Sequence, residues 1–573
     1  MKKRYFIFTA ILILLIQTSL LATSLNLFTT DSEEYKVAYS LCISNGVNPP
    51  TVVSPMTGYE IEQALERIPP SKLDNNEKEL YEEIISRLNK DMTFETEYVD
   101  ISPMFIISPE VYAHTKKLDR PFDFAYDLKD RTHIIDFSLD INIDDDIYMF
   151  GDWTIMSARL NRFHNSNLGS NFHTYTGGIH FEGVTNSGIY AAKEYGYGGV
   201  FTTKQSIGNG KTGNLIVSDN FSRQEFARYK VHSTYFDYTF NWTTFAQSEP
   251  TKSNTDVTLS AMKFNGMNQY QIVHRFEAKL LDRLQISLNE AIMLDVSKMF
   301  DIKYLNPFTF FHGLSNSEED ILYSPGNASD EANNYFTIEL GYTVAPNLRA
   351  NFQFLADQIQ LPREQGDFNL APEAYGILFN LESPWIQKER VYNFYFESAI
   401  IWPYTYLNIK KNDTNGDGKI DDQDEYNTNL DMITGYYNRY DEMSEIGYAG
   451  YTNGSDSISN TIGVTITELG LFNVDLSVDY VIHGKNGYGY ENIIAERGHD
   501  NCYDKPLVGV GFKKAEHRLA FNLDSTYYVN DGFNINLGMA LVNYWNYKLE
   551  YDNNFSDLQF KLGFIINPGF ITN

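Results

Sequence analysis

The stretch FNVDLSVDYVIH, residues 472–483, decides the fold, because apolar and polar side chains alternate along almost its whole length. Alternation with a period of two places the two kinds of side chain on opposite faces of a β-strand. The run LQFKLGFII at residues 558–566 repeats the pattern near the end of the chain. Both runs reach the roughly 9 to 11 residues that a tilted strand needs to cross a membrane.

Shorter alternating runs extend the pattern through residues 135–142, 236–243 and 519–524. A soluble β-sandwich or solenoid also alternates, but its strands are commonly about 5 to 6 residues long. Charged residues also interrupt the apolar ones deep within the longest runs, as a water-filled lumen allows. The sequence therefore predicts an all-β transmembrane barrel of antiparallel strands over residues 93–573, with roughly 16 to 20 candidate strands and an even number expected.

The composition agrees with a barrel that carries aromatic rings at both membrane interfaces. The chain of 573 residues contains 41 Tyr, 39 Phe and 5 Trp, so that 15% of it is aromatic. Its net charge of -30 argues against nucleic acid or an anionic membrane surface as a partner, because both would require basic patches. We expect no nucleic-acid partner, and we expect acidic surface loops.

The N-terminus has the three parts of an export signal. Lys2, Lys3 and Arg4 precede the apolar run 5–16, and small residues follow near Ala22. This predicts a signal peptide over residues 1–24, with an uncleaved anchor as the alternative. The run is shorter than the roughly 20 residues of a permanent helical span, and none like it recurs. The expected location is the outer membrane, with its lipid and the barrel-assembly machinery as partners.

Residues 25–92 are predicted to form a small α-helical periplasmic region. A first helix is expected over residues 31–41. Thr57 and Glu60 form a capping box, in which each side chain satisfies a free amide at the start of a helix. Asp74 and Glu77 repeat the arrangement before a third helix.

Polar inserts rich in Gly, Asn, Asp and Ser separate several of the predicted strands. Barrels have short periplasmic turns and longer outer loops, so these inserts are candidate extracellular loops. They cover residues 110–130, 205–213, 315–332, 403–430 and 485–515. The segment 208–213 superficially resembles a phosphate-binding loop, but Gln205 stands where the first glycine would be required.

The insert at 403–430 contains a calcium-loop pattern, D-x-N-x-D-G, in which alternate oxygen ligands surround a sharp turn at Gly418. We expect a structural Ca²⁺ there, and a solvated acidic loop is the alternative. The candidate ligands are Asp413, Asn415, Asp417, the carbonyl of Lys419, Asp421 and Asp424.

The sequence offers no motif of hydrolytic catalysis. Neither G-x-S-x-G nor H-E-x-x-H occurs, and the histidines share no ligand spacing. We therefore predict that the protein is not an enzyme. Cys42 and Cys502 are too few for a disulfide framework, and whether they pair is left open.

Several short segments, in order along the chain, resemble the Wzi family of capsule-assembly outer-membrane proteins. They are residues 54–65, 206–219, 289–290, 304–308, 333–334 and 355–357. The resemblance implies a barrel of roughly 18 strands with a helical bundle at its periplasmic end. It also implies a lectin-like protein that binds or organises surface polysaccharide. A porin-like solute channel is the alternative, and a soluble adhesin is the third possibility.

Overall fold

The computed structural model describes most of the chain between residues 26 and 568. The described residues are 26–88, 93–116, 133–144, 146–157, 168–170, 179–221, 223–250, 262–295, 302–311, 332–358, 374–403, 405–406, 409–411, 426–428, 432–437, 443–484, 515–530 and 532–568. The predicted signal peptide lies outside them.

The main sheet closes into a barrel of eighteen antiparallel strands, as predicted. Val99–Ile107 and Glu110–His114 occupy one position in the wall and together form β1, beside which the short strand Leu168–Ser170 pairs. The other strands are β2 (Ile135–Ile143), β3 (Ile147–Ser157), β4 (Ile179–Lys193), β5 (Gly196–Thr203), β6 (Gln224–His232), β7 (Phe236–Pro250), β8 (Met262–Leu280), β9 (Leu284–Asp295), β10 (Ala332–Ala345), β11 (Leu348–Gln358), β12 (Ala374–Gln387), β13 (Arg390–Ile401), β14 (Ser457–Glu468), β15 (Phe472–His483), β16 (Glu516–Asn530), β17 (Phe533–Trp545) and β18 (Phe555–Ile566).

The polarity of the wall is the reverse of that in a soluble protein. On β6, Lys230 is 1% exposed whereas its neighbour Val231 is 51% exposed. The same contrast recurs on β15, where the apolar Leu476 is exposed and the lumen-facing Asp475 is partly covered. Apolar side chains that face outward and polar ones that face inward are the pattern of a transmembrane barrel. No helix in the described ranges is long and apolar enough to cross a membrane.

The connections differ at the two ends of the barrel. Short turns join the strands at one end, as between Leu280 and Leu284 or between Ala345 and Leu348. The connections at the opposite end are longer, for example between Ile401 and Ser457. The N-terminal residues lie at the short-turn end, where the Asn48 amide donates to the Asp282 carbonyl at 2.6 Å.

Three helices form in the N-terminal region: α1 (Glu33–Ser44), α2 (Gly58–Leu65) and α3 (Asn75–Leu88). Both ends of the first helix lie later in the chain than predicted. It begins at Glu33 because the Ser32 hydroxyl caps it by accepting from the Tyr35 amide at 3.3 Å. Both predicted capping boxes are present, and reciprocal bonds of 2.9 and 3.0 Å join Asp74 and Glu77. The helices share one apolar core with the barrel residues Val391 and Leu469.

Four small two-stranded sheets and two short 3₁₀ helices complete the described elements. The sheets pair Leu27–Phe28 with Met56–Thr57, Val53–Ser54 with Ser206–Ile207, Ile409–Lys411 with Tyr426–Thr428, and Ile433–Tyr437 with Met443–Tyr448. The 3₁₀ helices are Ile302–Leu305 and Tyr547–Leu549.

One predicted loop assignment is wrong. Residues 205–213, expected outside the cell, fold into the lumen, and Gln205 and Asn209 are buried there. The reason is that inward polar side chains satisfy the backbone of this glycine-rich stretch, as described below. The start of another predicted loop, Glu110–His114, belongs to β1. Much of the remaining inserts, including most of 315–332 and 485–515, lies outside the described residues.

Candidate functional site: a polar cavity in the barrel lumen

The connection between β5 and β6 forms a plug inside the barrel, and we call residues 204–221 the lumen segment. Its Gly208 has φ +137°, a conformation that L side chains rarely adopt. Any Cβ at this position would also lie 2.8 Å from the Gln353 amide nitrogen. Glycine is therefore required where the segment approaches the wall.

Inward-facing side chains of β11, β12 and β13 hold the backbone of the lumen segment. Gln353 accepts from the Leu215 amide at 3.0 Å, and Asn380 donates to the Asn209 carbonyl at 3.0 Å. The Glu397 carboxylate accepts from the amides of Lys211 and Thr212 at 2.5 and 3.0 Å. The loop that resembles a phosphate site thus binds a carboxylate of the chain itself.

A buried ion pair connects the N-terminal region to the barrel wall. Glu60 of α2 contacts Lys230 of β6, and their side chains are 2% and 0% exposed. Burial alone would raise the pKa of Glu60, but the Lys230 ammonium holds it below its ordinary value. On α1, the Tyr39 hydroxyl donates to Glu382 of β12 at 2.6 Å. Polar contacts therefore attach α1 and α2 to the inner face of the wall.

A polar cavity of about 720 Å³ remains between these plugging elements and one side of the wall. It is bounded by α1, the lumen segment and the inner faces of β12 to β16 and β18. Its charged lining comprises the acidic Asp31, Glu382, Asp475, Asp479 and Asp524 and the basic Lys36, Lys204, Lys211, Arg518 and Lys561. The cavity volume falls in the range of small-molecule sites, about 300 to 1,000 Å³.

The acidic side of the cavity is formed by β15, and its carboxylates are hydrogen-bonded to neighbouring strands. Asp475 accepts from the Tyr395 hydroxyl at 3.0 Å and from the Thr465 hydroxyl at 2.7 Å. Asp479 accepts from the Asn522 amide. These bonds hold the carboxylate oxygens on the wall while the residues stay partly exposed to the lumen.

Cationic groups also line the cavity, with Lys204 and Lys211 from the lumen segment and Arg518 and Lys561 from wall strands. The Lys211 ammonium lies 5.3 Å from the centroid of the Tyr395 ring. Lys204 lies 3.4 Å from Asp31 and lowers the pKa of that carboxyl. Hydroxyls, amides, carboxylates, ammonium groups and a ring can together bind a polyhydroxylated ligand by hydrogen bonds and by stacking. They do not form a nucleophile with a paired base.

The predicted calcium ligands cannot be compared with this geometry. Asp413, Asn415, Asp417, Lys419, Asp421 and Asp424 all lie outside the described residues. Within the part of the chain that is described, no group of three or more His, Cys, Asp or Glu side chains could hold a metal ion. Cys42 is buried in the helical core, and burial raises its thiol pKa to about 12. Cys502 is not among the described residues.

The described backbone is similar to that of Wzi of Escherichia coli, an outer-membrane protein involved in group 1 capsule assembly and a carbohydrate-binding β-barrel. The TM-score is 0.56 at 13% sequence identity, and the match covers 94% of this chain and 99% of that one. The chain has a Wzi-like fold. The resemblance of the sequence segments to that family is therefore matched by the architecture.

Two structures from other bacteria, one of them an outer-membrane channel, are more distant. The channel DcaP of Acinetobacter baumannii has a TM-score of 0.35 at 8% identity, covering 83% of this chain and 100% of its own. OccK5 of Pseudomonas aeruginosa has a TM-score of 0.37 at 7% identity, covering 82% and 98%. These likenesses are too weak to support an argument. No family profile and no curated protein matches the sequence.

The sequence reasoning missed the cavity because its walls come from distant parts of the chain. Alternation assigned Asp475 and Asp479 to the polar face of one strand, which is correct. Nothing in that pattern indicated that α1 and the lumen segment would lie opposite them. The signal that was available is the glycine-rich composition of residues 208–213, which marks a close backbone approach as well as a loop.

Proposed function

We propose that the protein is an outer-membrane barrel that binds or organises surface polysaccharide and has no catalytic activity. The observation that carries the proposal is the filled lumen of a Wzi-like barrel. The lumen segment occupies the interior, α1 packs against the inner wall, and a polar cavity lies beside them. A plugged barrel with a polar pocket is suited to holding a ligand rather than to passing solutes.

The proposal includes an orientation in the membrane. Short turns face the periplasm in outer-membrane barrels, so the end that carries α1 to α3 is the periplasmic one. Residues 25–92 are then the helical periplasmic region and residues 93–573 the barrel, which is exported by a signal peptide at 1–24 and inserted by the barrel-assembly machinery. The outward apolar belt contacts outer-membrane lipid.

The chemistry of the cavity supports a glycan as the ligand. Sugars present hydroxyl groups that carboxylates and amides bind, and their apolar faces stack on aromatic rings. Asp475, Asp479 and Asn473 supply the polar groups on β15, and Tyr395 supplies a ring beside them. The balance of acidic and basic groups in the cavity lining favours a neutral or zwitterionic sugar over a strongly charged polymer.

A retention assay tests this function. A strain that lacks the protein is expected to release surface polysaccharide into the medium, and the wild-type gene should restore attachment. The double variant Asp475→Asn/Asp479→Asn should reach the membrane at wild-type levels but restore less attachment. Equal retention in the deletion and wild-type strains would contradict the proposal.

A porin-like channel is the second candidate, and the cavity along β14 to β16 is the observation that favours it. Planar bilayers distinguish the two candidates. A glycan-holding barrel that is plugged should show no steady open conductance, whereas a channel should conduct.

We also propose that the insert at 403–430 binds one Ca²⁺ through Asp413, Asn415, Asp417, the Lys419 carbonyl, Asp421 and Asp424. The support is the spacing of oxygen ligands alone. The metal would stiffen a loop and take no part in a reaction.

A further inference from the structure

A non-strand segment lies against the outer face of the barrel. We call residues 304–311 the outer clip. It packs on side chains of β7, β8 and β9 that alternate with lumen-facing ones and therefore point away from the lumen. The buried cluster that it completes consists of Tyr238, Phe240, Ile272, Ile292 and Leu294 together with Tyr304 and Phe311 of the clip.

Polar residues on this outward face are bonded to the clip. His274 is 1% exposed, and its Nε2 donates to the Tyr304 carbonyl at 3.2 Å. The His274 and Phe311 ring centroids lie 4.6 Å apart. Asn334 of β10 reaches the Phe311 carbonyl at 3.5 Å. A histidine and an asparagine on a lipid-facing wall are explained if they satisfy the backbone of an irregular segment that lies there.

The clip also satisfies part of its own backbone. The Asn306 side-chain oxygen accepts from the Phe308 amide at 3.1 Å, and the Asn306 carbonyl accepts from the Thr309 amide at 3.0 Å. Unsatisfied backbone groups in hydrocarbon cost several kcal/mol each, so an irregular segment at membrane depth must have its polar groups bonded or covered by protein. In the clip, bonds are formed by the Phe308 and Thr309 amides and by the Tyr304, Asn306 and Phe311 carbonyls.

Most of the exposed side chains of the clip are apolar, and the exposed Asn306 accepts from the Phe308 amide. Phe308 is 82% exposed and Phe310 is 78% exposed, and Leu305 is partly exposed beside them. His274 lies six residues from the short turn at Leu280, which corresponds to about 15 Å along the barrel axis for strands tilted by about 40°. This height falls within an apolar band that is about 25 Å tall.

We propose that the outer clip is embedded in the membrane, with Phe308 and Phe310 inserted among lipid acyl chains and with His274 and Asn334 as positioning residues. The proposal rests on the membrane location given under the proposed function. The clip is continuous with the lipid-facing belt, which is the reason for assigning acyl chains as its partner. Three segments of the family resemblance, 289–290, 304–308 and 333–334, lie in or beside this contact.

Spin labels test the depth of the clip. The full-length protein carrying Cys502→Ser is labelled at Phe308→Cys, or at Phe310→Cys if the first variant folds poorly, while the buried Cys42 stays unreactive. After reconstitution in phospholipid vesicles, collisions with oxygen and with a water-soluble nickel complex are measured. Leu288→Cys on the bare outer wall of β9 is the lipid control, and Lys72→Cys in the exposed helical region is the water control.

We expect the label on the clip to match the Leu288 label, with frequent oxygen collisions and few nickel collisions. A label that matches Lys72 while Leu288 remains in lipid would overturn the clip proposal alone and would indicate an aqueous partner. A water-exposed label at Leu288 would overturn the membrane location itself. Contact with a second copy would appear as spin–spin broadening at the clip, and this would also overturn the proposal.

A second measurement tests the positioning residues. His274→Ala removes the bond to the Tyr304 carbonyl, so the label at Phe308 should become more mobile while a label at Leu288 keeps its line shape. Leu288→Ala, on the same outer face and outside the clip contact, is the control for general loosening and should leave the Phe308 label unchanged. Equal mobility of the Phe308 label in His274→Ala and in the otherwise unaltered protein would contradict the positioning function.

Discussion

The two sides of the barrel lumen differ in how far their charged side chains are exposed and bonded. On strands β6 to β13, the packed half, inward charges are covered by the chain and are ion-paired or hydrogen-bonded, as in the bonds of Arg275 to Glu277 and Glu339 at 2.9 and 2.8 Å. On strands β14 to β18, the open half, Asp475 and Asp479 are partly exposed and Asp524 is exposed. The open half borders the cavity.

The difference follows from solvent. A charge removed from water must be paired, because its desolvation is otherwise too costly, whereas a charge on a wet wall needs no partner. The packed half therefore holds the plug, and its residues are constrained by one another. The open half keeps carboxylates available for a ligand. Substitutions in the packed half should therefore disturb the fold or the plug, whereas substitutions in the open half should reduce ligand binding.

The largest effect is expected from breaking the packed half at its ion pair. Glu60→Gln leaves the buried Lys230 ammonium with Asp237, at 3.7 Å, as its remaining carboxylate, so the loss should lie toward the lower end of the about 3–5 kcal/mol that breaking a buried pair costs. We expect the free energy of unfolding in detergent to fall by that amount, measured by denaturant titration. The control is Glu83→Gln, which breaks the exposed pair with Arg87 and should cost about 0.5 kcal/mol or less.

Acidification should break the ion pair between Glu60 and Lys230. The pKa of Glu60 is lowered in the folded protein, so its stabilising effect is complete above its ordinary value of 4.5 and is lost as the pH falls through the lower folded value. Below pH 4.5, proteolysis of residues 26–88 should increase in the wild type. Glu60→Gln should already be sensitive at neutral pH, and an identical pH profile for the two proteins would contradict the assignment.

Loosening the lumen segment should open a water-filled path through the packed half. Gly208→Ala forces a side chain into a conformation that is essentially restricted to glycine, at a cost of roughly 1–3 kcal/mol. We expect steady conductance to appear in planar bilayers. The control is Gly447→Ala, where a Cβ would make ordinary contact with Phe221 at 3.7 Å. This variant should produce no steady conductance.

Alternation along single strands was enough to predict the barrel, because the period of two fixes which side chains face the lumen. The capping residues of α2 and α3 were likewise readable, since a cap involves only neighbours in sequence. The start of the first helix was predicted too early, because the cap at Ser32 was not considered.

The plug could not be predicted, because its contacts join residues far apart in the chain. Glu397 and Lys211 are 186 positions apart, and Glu60 and Lys230 are 170 apart. A polar glycine-rich stretch has the same composition whether water or an inward-facing side chain satisfies its backbone. Residues 205–213 were therefore assigned to the cell exterior from their polar, glycine-rich composition, which an extracellular loop and a lumen segment share.

The open half should lose ligand binding without losing its fold. Asp475→Asn/Asp479→Asn keeps the shape of the wall but removes two charged acceptors, and each lost bond to a charged group is worth about 1.5 kcal/mol, or roughly tenfold in Kd. Binding of purified surface polysaccharide measures the loss. The matched control is Asp152→Asn on β3, a carboxylate that accepts from Asn186 at 2.8 Å and does not line the cavity. Equal losses in both variants would mean that the cavity is not the binding site.

The smallest effect is expected where the two halves meet in sequence. The insert at 403–430 lies between β13 of the packed half and β14 of the open half. Ca²⁺ bound there would order the connection locally, so chelation should expose it to protease while the free energy of global unfolding stays unchanged. Asp413→Asn/Asp417→Asn should abolish calorimetric Ca²⁺ binding, and the control Asp422→Asn, outside the proposed ligand set, should retain it. Heat of binding that survives the loss of both aspartates would place the metal elsewhere, and the boundary between the halves would then depend on the protein alone.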